Sequence, residues 1–460
     1  MTNPYKVSPI FKSSVNSISH WELPTADNNT IDTAAGWAGI QNLLNETVTA
    51  GSLFSTNVMA TYALVYTATN AYSGGVLDLN GNIHFIPCYA SVGQMISASG
   101  VVSTYNLVYT TFEAYTGGVL DPNGNIHFIP CIASVGQKIS ASGVVSTYNL
   151  VYTTMGAYIG GVVDPNGNIH MIPLMAPVGQ KISSSGVVST YNLVYTTMGA
   201  YAGGVLAPNG DIHMIPSAAS VGQKISASGI VSTYSIISSN YGGGVFASNG
   251  EIHMIPSTAS VGQKISVSGV VSTYNLVNTS PGSYVGGVLA PNGDIHMIPY
   301  SAAVGQKISS AGVVSTYSLI YTVFGAYQGG VLALNGDIHF MATGAAVGQK
   351  ISASGVVSTY SLIHTNSAGA YNGGVLAPNG DIHMIQGRAL VGQKISASGV
   401  VSTYGLVFTL NNVTFIGGIL ASNGDIHMIP SNASVGQKIS TLSCVPFEDG
   451  VCLSSFLNKF

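Results

Sequence analysis

The chain has 460 residues and a formal net charge of −4, and only 6% of its residues are charged, against roughly a quarter in an average soluble protein. That balance argues against electrostatic capture of nucleic acid or of an anionic membrane surface. Gly, Pro, Asn and Ser interrupt every apolar stretch well short of the ~18 residues of a membrane-spanning helix, so membrane insertion is not expected.

Residues 1–55 read as an N-terminal arm. The start, Met1-Thr2-Asn3-Pro4-Tyr5, has no basic region leading into an apolar core, and no secretory leader is read there. A loop-like stretch at 22–30 precedes one short predicted helix at 31–44. The arm carries Trp21 and Trp37, the only tryptophans of the chain. Two aromatic anchors suit docking to a larger assembly; covering a face of the same chain is the other reading.

Residues 56–440 are built from nine copies of a unit of about 43 residues, and a fixed period of that length means a solenoid, a propeller or an array. Each copy holds four short β-type runs. The first is Gly-Gly-Val-Leu, followed by an Asn-Gly pair such as Asn123-Gly124 or Asn209-Gly210 that predicts a tight primed hairpin turn. The second is Asn-Ile-His-Phe-Ile or Asp-Ile-His-Met-Ile, halted by Pro in most copies. The third, Val-Gly-Gln-Lys-Ile-Ser, turns through Ala-Ser-Gly into the fourth, Val-Val-Ser-Thr-Tyr-Asn-Leu-Val-Tyr-Thr. Four antiparallel strands per unit match a propeller blade.

The Gly-Gly pairs begin at Gly74, Gly117, Gly160, Gly203, Gly243, Gly286, Gly329, Gly373 and Gly417. The fourth strand also occurs nine times, but its first copy, at 60–67, precedes the first Gly-Gly pair, and the pattern stops after the third strand at 435–440. The last blade therefore lacks its outer strand while the N-terminal side has one to spare. The prediction is an all-β, nine-bladed propeller of four-stranded antiparallel blades, closed by an N-terminal strand that completes the last blade and removes an exposed edge.

Residues 441–460 form a C-terminal tail. Cys444 and Cys452 flank a turn-rich stretch there and can close a small loop in an oxidising setting, a pairing left open. Cys88 and Cys131 occupy one place in consecutive blades, beyond disulfide reach, and read as packed thiols.

The Gly-Gly-Val-Leu-x-Pro-Asn-Gly-x-Ile-His-x-Ile-Pro unit resembles a kelch-like propeller repeat, and similar near-identical repeats occur in structural or receptor-binding proteins of bacteriophages and giant viruses. The chain lacks the Trp of kelch blades and the Trp-Asp signature of the WD family, so neither group's partners carry over. The resemblance implies a virion structural or appendage protein, reaching the outside by particle assembly and lysis. It would hold other virion proteins through its arm and present the propeller to a host surface or glycan. A soluble or secreted repeat lectin or interaction scaffold, unconnected to particles, is the alternative. Association into homo-oligomers is left open.

The nine repeat histidines, His84, His127, His170, His213, His253, His296, His339, His383 and His427, invite a metal reading. Equivalent atoms in neighbouring blades of such a ring stand about 8–10 Å apart, whereas ligands on one ion at ~2.1 Å need nitrogens only about 3–4 Å apart. No metal and no cofactor are expected, and the histidines read as structural, bonded to a neighbouring blade's backbone. The repeated lysines, Lys138 through Lys438, read either as a solvated face or as partners of turn carboxylates such as Asp211 and Asp294, with a phosphate- or sulfate-binding ring as the alternative. Residues that break the repeat, Glu113, Glu251, Pro281, His364 and Arg388, are scattered over different blades and form no nucleophile, base and oxyanion set, so no catalytic activity is expected.

In an up-and-down blade the Asn-Gly and Ala-Ser-Gly turns lie on one face, and the loops after the second and fourth strands lie on the other. The second face carries nearly all the differences between copies, including Phe112 and Arg388, and is the candidate binding face. Tyr72, Tyr115, Tyr158, Tyr201, Tyr241, Tyr284, Tyr327 and Tyr371, with Phe415 in the ninth place, precede the Gly-Gly pairs near that face. They offer either multivalent stacking on sugars or packing between blades.

Overall fold

Each blade folds from its turns outward. In the second blade the inner strand Tyr115–Leu120 runs into Asp121-Pro122-Asn123-Gly124-Asn125. Gly124 adopts φ 82°, a region open to glycine without a Cβ penalty. Its N–H donates to the Asp121 carbonyl at 3.0 Å, and the Asp121 N–H donates to the Asn125 carbonyl at 2.8 Å. Among the described residues, positive φ outside glycine occurs only at Asn70, Glu113 and Asn240. The Asn-Gly pair therefore does not form the primed two-residue turn expected from it, but the end of a three-residue loop closed by a glycine bulge. In this blade the Asp121 carboxylate takes the N–H groups of Asn123 and Asn125 at 2.9 and 2.8 Å; the later blades, with alanine in its place, keep the same loop, Gly210 N–H donating to the Ala207 carbonyl at 2.9 Å and Asp211 N–H to Asn209 Oδ1 at 3.0 Å.

The computed structural model describes residues 58–441 apart from 65, 237, 364–368 and 411–412. The arm at 1–55 with its helix and tryptophans, the tail with Cys444 and Cys452, and His364 lie outside the described residues. Thirty-six strands form nine four-stranded antiparallel sheets. In eight of them the strands follow chain order, with the Gly-Gly strand innermost. The ninth joins Phe415–Leu420, Ile426–Pro430 and Val435–Ser440 to the N-terminal strand Val58–Ala63. That strand pairs antiparallel from Val58↔Ser440 to Ala63↔Val435. The protein is a nine-bladed propeller closed as its repeat count predicts, the closing strand lying slightly N-terminal to residues 60–67.

Within a blade, three strands are tied by one side chain. Tyr148 on the outer strand pairs with Gly136 on the third, and a Cβ at Gly136 would overlap the Tyr148 ring. The ring crosses that bare backbone to reach His127 on the second strand, with centroids 5.7 Å apart. The same Tyr-over-Gly overlap recurs in all nine blades. In the ninth the tyrosine is Tyr62 of the closing strand, lying over Gly436 with its centroid 5.6 Å from that of His427.

Between blades, the second glycine of each pair admits its neighbour. A Cβ on Gly118 would overlap Ile86 and Val76 of the first blade, and one on Gly75 would overlap Ile419 of the ninth, so the closing interface repeats the internal ones. Gln137 is fully buried, and its Oε1 accepts the N–H of Val108 from the preceding blade at 2.8 Å. On the loop side a belt of main-chain hydrogen bonds links successive blades: Cys131 N–H to Ala114 O at 2.9 Å, and Gly156 N–H to Cys131 O at 2.9 Å. It crosses the closure as Ala71 N–H to Ser431 O at 3.1 Å.

Because the ninth blade depends on Tyr62 as the others depend on their own tyrosines, Tyr62→Ala should cost about 3–5 kcal/mol, the usual range for emptying a large aromatic site. Denaturant unfolding should show that loss, with Tyr148→Ala giving a loss of similar size. An unchanged midpoint for Tyr62→Ala would mean that the closing strand does not hold the ring.

Candidate functional site

The two faces of the ring differ in chemistry. Nearly every described charged residue belongs to the carboxylate and lysine positions of the turn face; Glu113 and Arg388 are the exceptions among them. In the fourth blade Lys224 Nζ donates to Asp211 Oδ2 at 2.6 Å, and Lys307 to Asp294 at 2.7 Å. Glu251 takes the aspartate's place in the fifth blade, held by Lys264 at 2.8 Å. These pairs agree with expectation. In the first three blades the carboxylate stands four residues earlier, at Asp78, Asp121 and Asp164, and turns to histidine instead of lysine.

That shift defines two histidine settings. In the second blade His127 Nε2 donates to Asp121 Oδ2 at 3.3 Å and Nδ1 accepts from the Tyr148 hydroxyl at 3.4 Å. In the fourth and eighth blades Nδ1 of His213 and His383 lies 3.4 Å from the hydroxyls of Tyr234 and Tyr404, while their buried Nε2 atoms have no hydrogen-bond partner. The expected bond to a neighbouring blade's backbone is thus corrected: in the second to eighth blades the partner is the blade's own outer-strand tyrosine, brought within reach across the third-strand glycine, while in the first and ninth the rings meet without that bond. Burial pushes His213, His253, His296, His339, His383 and His427 down to about 4. It lowers His84, His127 and His170 as well, with the nearby aspartates opposing the shift. Among the described residues no three His, Cys, Asp or Glu side chains converge as a metal set.

The inter-blade tyrosines cannot stack on a ligand. Tyr72, Tyr115, Tyr158, Tyr201, Tyr241, Tyr284, Tyr327 and Tyr371 are at most 1% exposed, packed under the belt. Several donate inward to the main chain, Tyr241 to Val261 O at 3.0 Å and Tyr284 to Val304 O at 2.9 Å. Their candidacy as binding residues is corrected, because closing the hydrophobic layer between blades consumes both ring faces.

Phe112 and Arg388 do reach the surface of the loop face. Phe112 is 57% exposed and packs on Tyr89, centroids 6.0 Å apart; Tyr89 donates to Glu113 Oε1 at 3.3 Å. The same position, three before the buried tyrosine, carries the exposed side chains Met155, Met198 and Phe324. Phe324 meets Tyr300 edge-on at 5.1 Å. Arg388 lies a whole arc of the ring away from Phe112, its aliphatic stem beside Gly369.

A further series escaped the sequence reading. Each inner strand is bulged between its tyrosine and its Gly-Gly pair, as between Tyr115 and Gly117, so one residue per blade is released from the ladder. Those residues are Ser73, Thr116, Ile159, Ala202, Gly242, Val285, Gln328, Asn372 and Ile416, half-buried or exposed around the loop-side mouth of the central channel. Ser73 Oγ donates to the Tyr115 carbonyl of the next blade at 3.2 Å, and Asn372 Nδ2 to that of Phe415 at 2.8 Å, so at these two positions the inner rim is bonded from blade to blade. Gln328, Asn372 and Ile416, with Gly373 and Val413, line a cavity of about 390 Å³. Their chemistry changes almost blade by blade while the flanking residues stay an aromatic and a glycine. That contrast, a changing residue between an invariant aromatic and an invariant glycine, was the available signal.

No protein-family model and no curated protein matches the chain. Among solved structures it is similar to a streptogramin B lyase, at 17% identity over 64% of this chain and 97% of that one, with a TM-score of 0.44. It is similar also to virginiamycin B lyase from Staphylococcus aureus, at 14% over 67% and 100%, TM-score 0.44. A third likeness is to AztD from Citrobacter koseri, at 12% over 69% and 93%, TM-score 0.46. At such identities and scores these likenesses carry no functional implication for this chain.

The histidines predict an acid limit. Unfolded, each titrates near 6.5; folded, the six in the later blades titrate near 4, so the unfolded chain binds more protons below pH 6.5. Their contribution is complete above about pH 6.5 and is lost progressively down to about pH 4, at about 1.4 kcal/mol per pH unit for each histidine. Thermal melts should fall steeply between pH 6.5 and 4, and a variant carrying Asn at His213, His296 and His339 should fall less steeply. Equal slopes would remove the histidines as the cause.

Proposed function

We propose that the chain is a non-enzymatic recognition ring of a virus particle, whose loop face and channel mouth bind a host-surface glycan. The observation that carries this reading is the inner rim. A rigid ring of constant blades bears a position that packing leaves free, and that position varies in shape and hydrogen-bonding capacity from blade to blade. Recognition commonly resides on such positions of a fixed scaffold. The carboxamides of Gln328 and Asn372 suit sugar hydroxyls, and the exposed rings of Phe112 and Phe324 suit the C–H face of a pyranose. The near-identical kelch-like repeats and their resemblance to phage and giant-virus proteins support placement in a particle, with the N-terminal arm as its attachment to other virion proteins.

The purified full chain should bind saturably to members of a glycan panel or to host envelopes. A variant combining Gln328→Ala, Asn372→Ala and Phe324→Ala should weaken that binding at least tenfold, while Lys224→Ala on the turn face should leave it unchanged. Binding indifferent to the rim variant, or absent across a broad panel, would end the recognition reading. Mass spectrometry of purified particles tests the placement separately: recovery only in the soluble extract would leave a lectin or scaffold unconnected to particles.

A further inference from the structure

We propose that the outer strands of the blades are self-association edges, on which a second copy of this chain docks by antiparallel strand pairing. This goes beyond ligand recognition at the channel mouth and rests on different residues. In every blade the fourth strand ends its sheet. In the first blade the Ser97 N–H donates to the Val101 carbonyl at 2.9 Å, and the register then sets Ser103 against Met95 and Tyr105 against Gly93. Alternation of hydrogen-bonded pairs turns the N–H and C=O groups of Val102, Thr104 and Asn106 outward, away from the ring.

Open edges of this kind are ordinarily blunted by very short strands, charge, proline or a bulge, and these strands, of five or six residues, use only the first. Here the described outer strands hold neither a charged residue nor a proline in any of the nine blades. They consist of Val-Ser-Thr-Tyr or, in the closing strand, Ala-Thr-Tyr, with the β-branched and aromatic content that favours strand pairing. The residue just before eight of them, Val101 and its equivalents through Val400, is 61–66% exposed. Thr104 and its counterparts are exposed too, yet remain threonine in every blade, while the loops of the same blades have diverged.

The occupant that fits is another copy. About a two-fold axis through Thr104, the strand meets itself antiparallel: Thr104 faces its own counterpart, Val102 faces the counterpart of Asn106, and each outward pair exchanges two hydrogen bonds. No charge on either edge opposes the approach. Since a ring carries such an edge on every blade, pairing on one leaves the others open, and association should proceed past the dimer as concentration rises.

Sedimentation equilibrium of the full chain tests this. The expected mass rises with concentration above the 47.1 kDa monomer. Lysine in place of the nine outer-strand threonines, Thr61 and those from Thr104 to Thr403, should hold the chain at monomer mass with unchanged circular dichroism. Nine added lysines take the formal net charge from −4 to +5, so overall repulsion stays nearly the same size. Valine at the same positions should preserve association, and Met155→Glu on the loop face should not affect it. A parent chain that remains monomeric at all concentrations overturns the proposal. So does a lysine variant that associates like the parent, which would place the contact on the arm or a face, or loss of association in Met155→Glu.

Discussion

The ring depends on a tyrosine lying flat across a glycine to reach a histidine. Within a blade, backbone hydrogen bonds join only adjacent strands, and a four-stranded sheet of five- and six-residue strands gains little from them alone. The outer-strand tyrosine adds a tie between second and fourth strands, laying its ring over Gly136 and its equivalents against the buried histidine, with its hydroxyl bonded to that histidine in the second to eighth blades. Any side chain on the third-strand glycine would lift the ring and expose the pair. Tyrosine, glycine and histidine are therefore a single unit spread over three strands, and a blade missing its fourth strand is incomplete. This is why the N-terminal strand must return to the ninth blade: it brings Tyr62 to Gly436 and His427, and the circle closes by the same contact that builds each blade.

The same economy of contact explains where variation is tolerated. Near the axis the blades approach so closely that the second glycine of each pair is pressed by an isoleucine, valine or methionine of its neighbour, and the tyrosine ahead of it fills the gap under the belt. The bulge between them ejects one residue from both the ladder and the interface. At Ser73 and Asn372 it bonds to the main chain of the next blade, but no blade requires it, so serine, isoleucine, glycine, glutamine and asparagine all serve. On the turn face there is no such freedom, because carboxylates, asparagines and glycines satisfy the loop main chain there. The rigid side of the ring and its adaptable side follow from which backbone groups need partners.

Much of this was legible in the chain. The count of Gly-Gly pairs against fourth strands gave nine blades and the closure, since a missing strand at one end and a spare at the other have one economical solution. The lysine pairs of the later blades also followed from residue type and spacing. The histidine partner was not legible, because the tyrosine that meets it is about twenty residues away and reaches it across an intervening strand. The shape of the Asn-Gly turn was not legible, because the same dipeptide closes a three-residue loop when only its glycine takes positive φ, whether aspartate or alanine opens the loop.

What the sequence determined by itself was the architecture: periodic turns and alternating strands allow few ways to bury their apolar faces, and the repeat count closes the ring. What only the tertiary structure decided was which repeated residues remain available. The tyrosines beside the Gly-Gly pairs and the residues that follow them are neighbours in the chain, yet one series is sealed between blades and the other stands at the channel mouth. A one-residue bulge separates those fates, and a bulge is set by the register of the partner strand and the closeness of the next blade, neither of which is written locally.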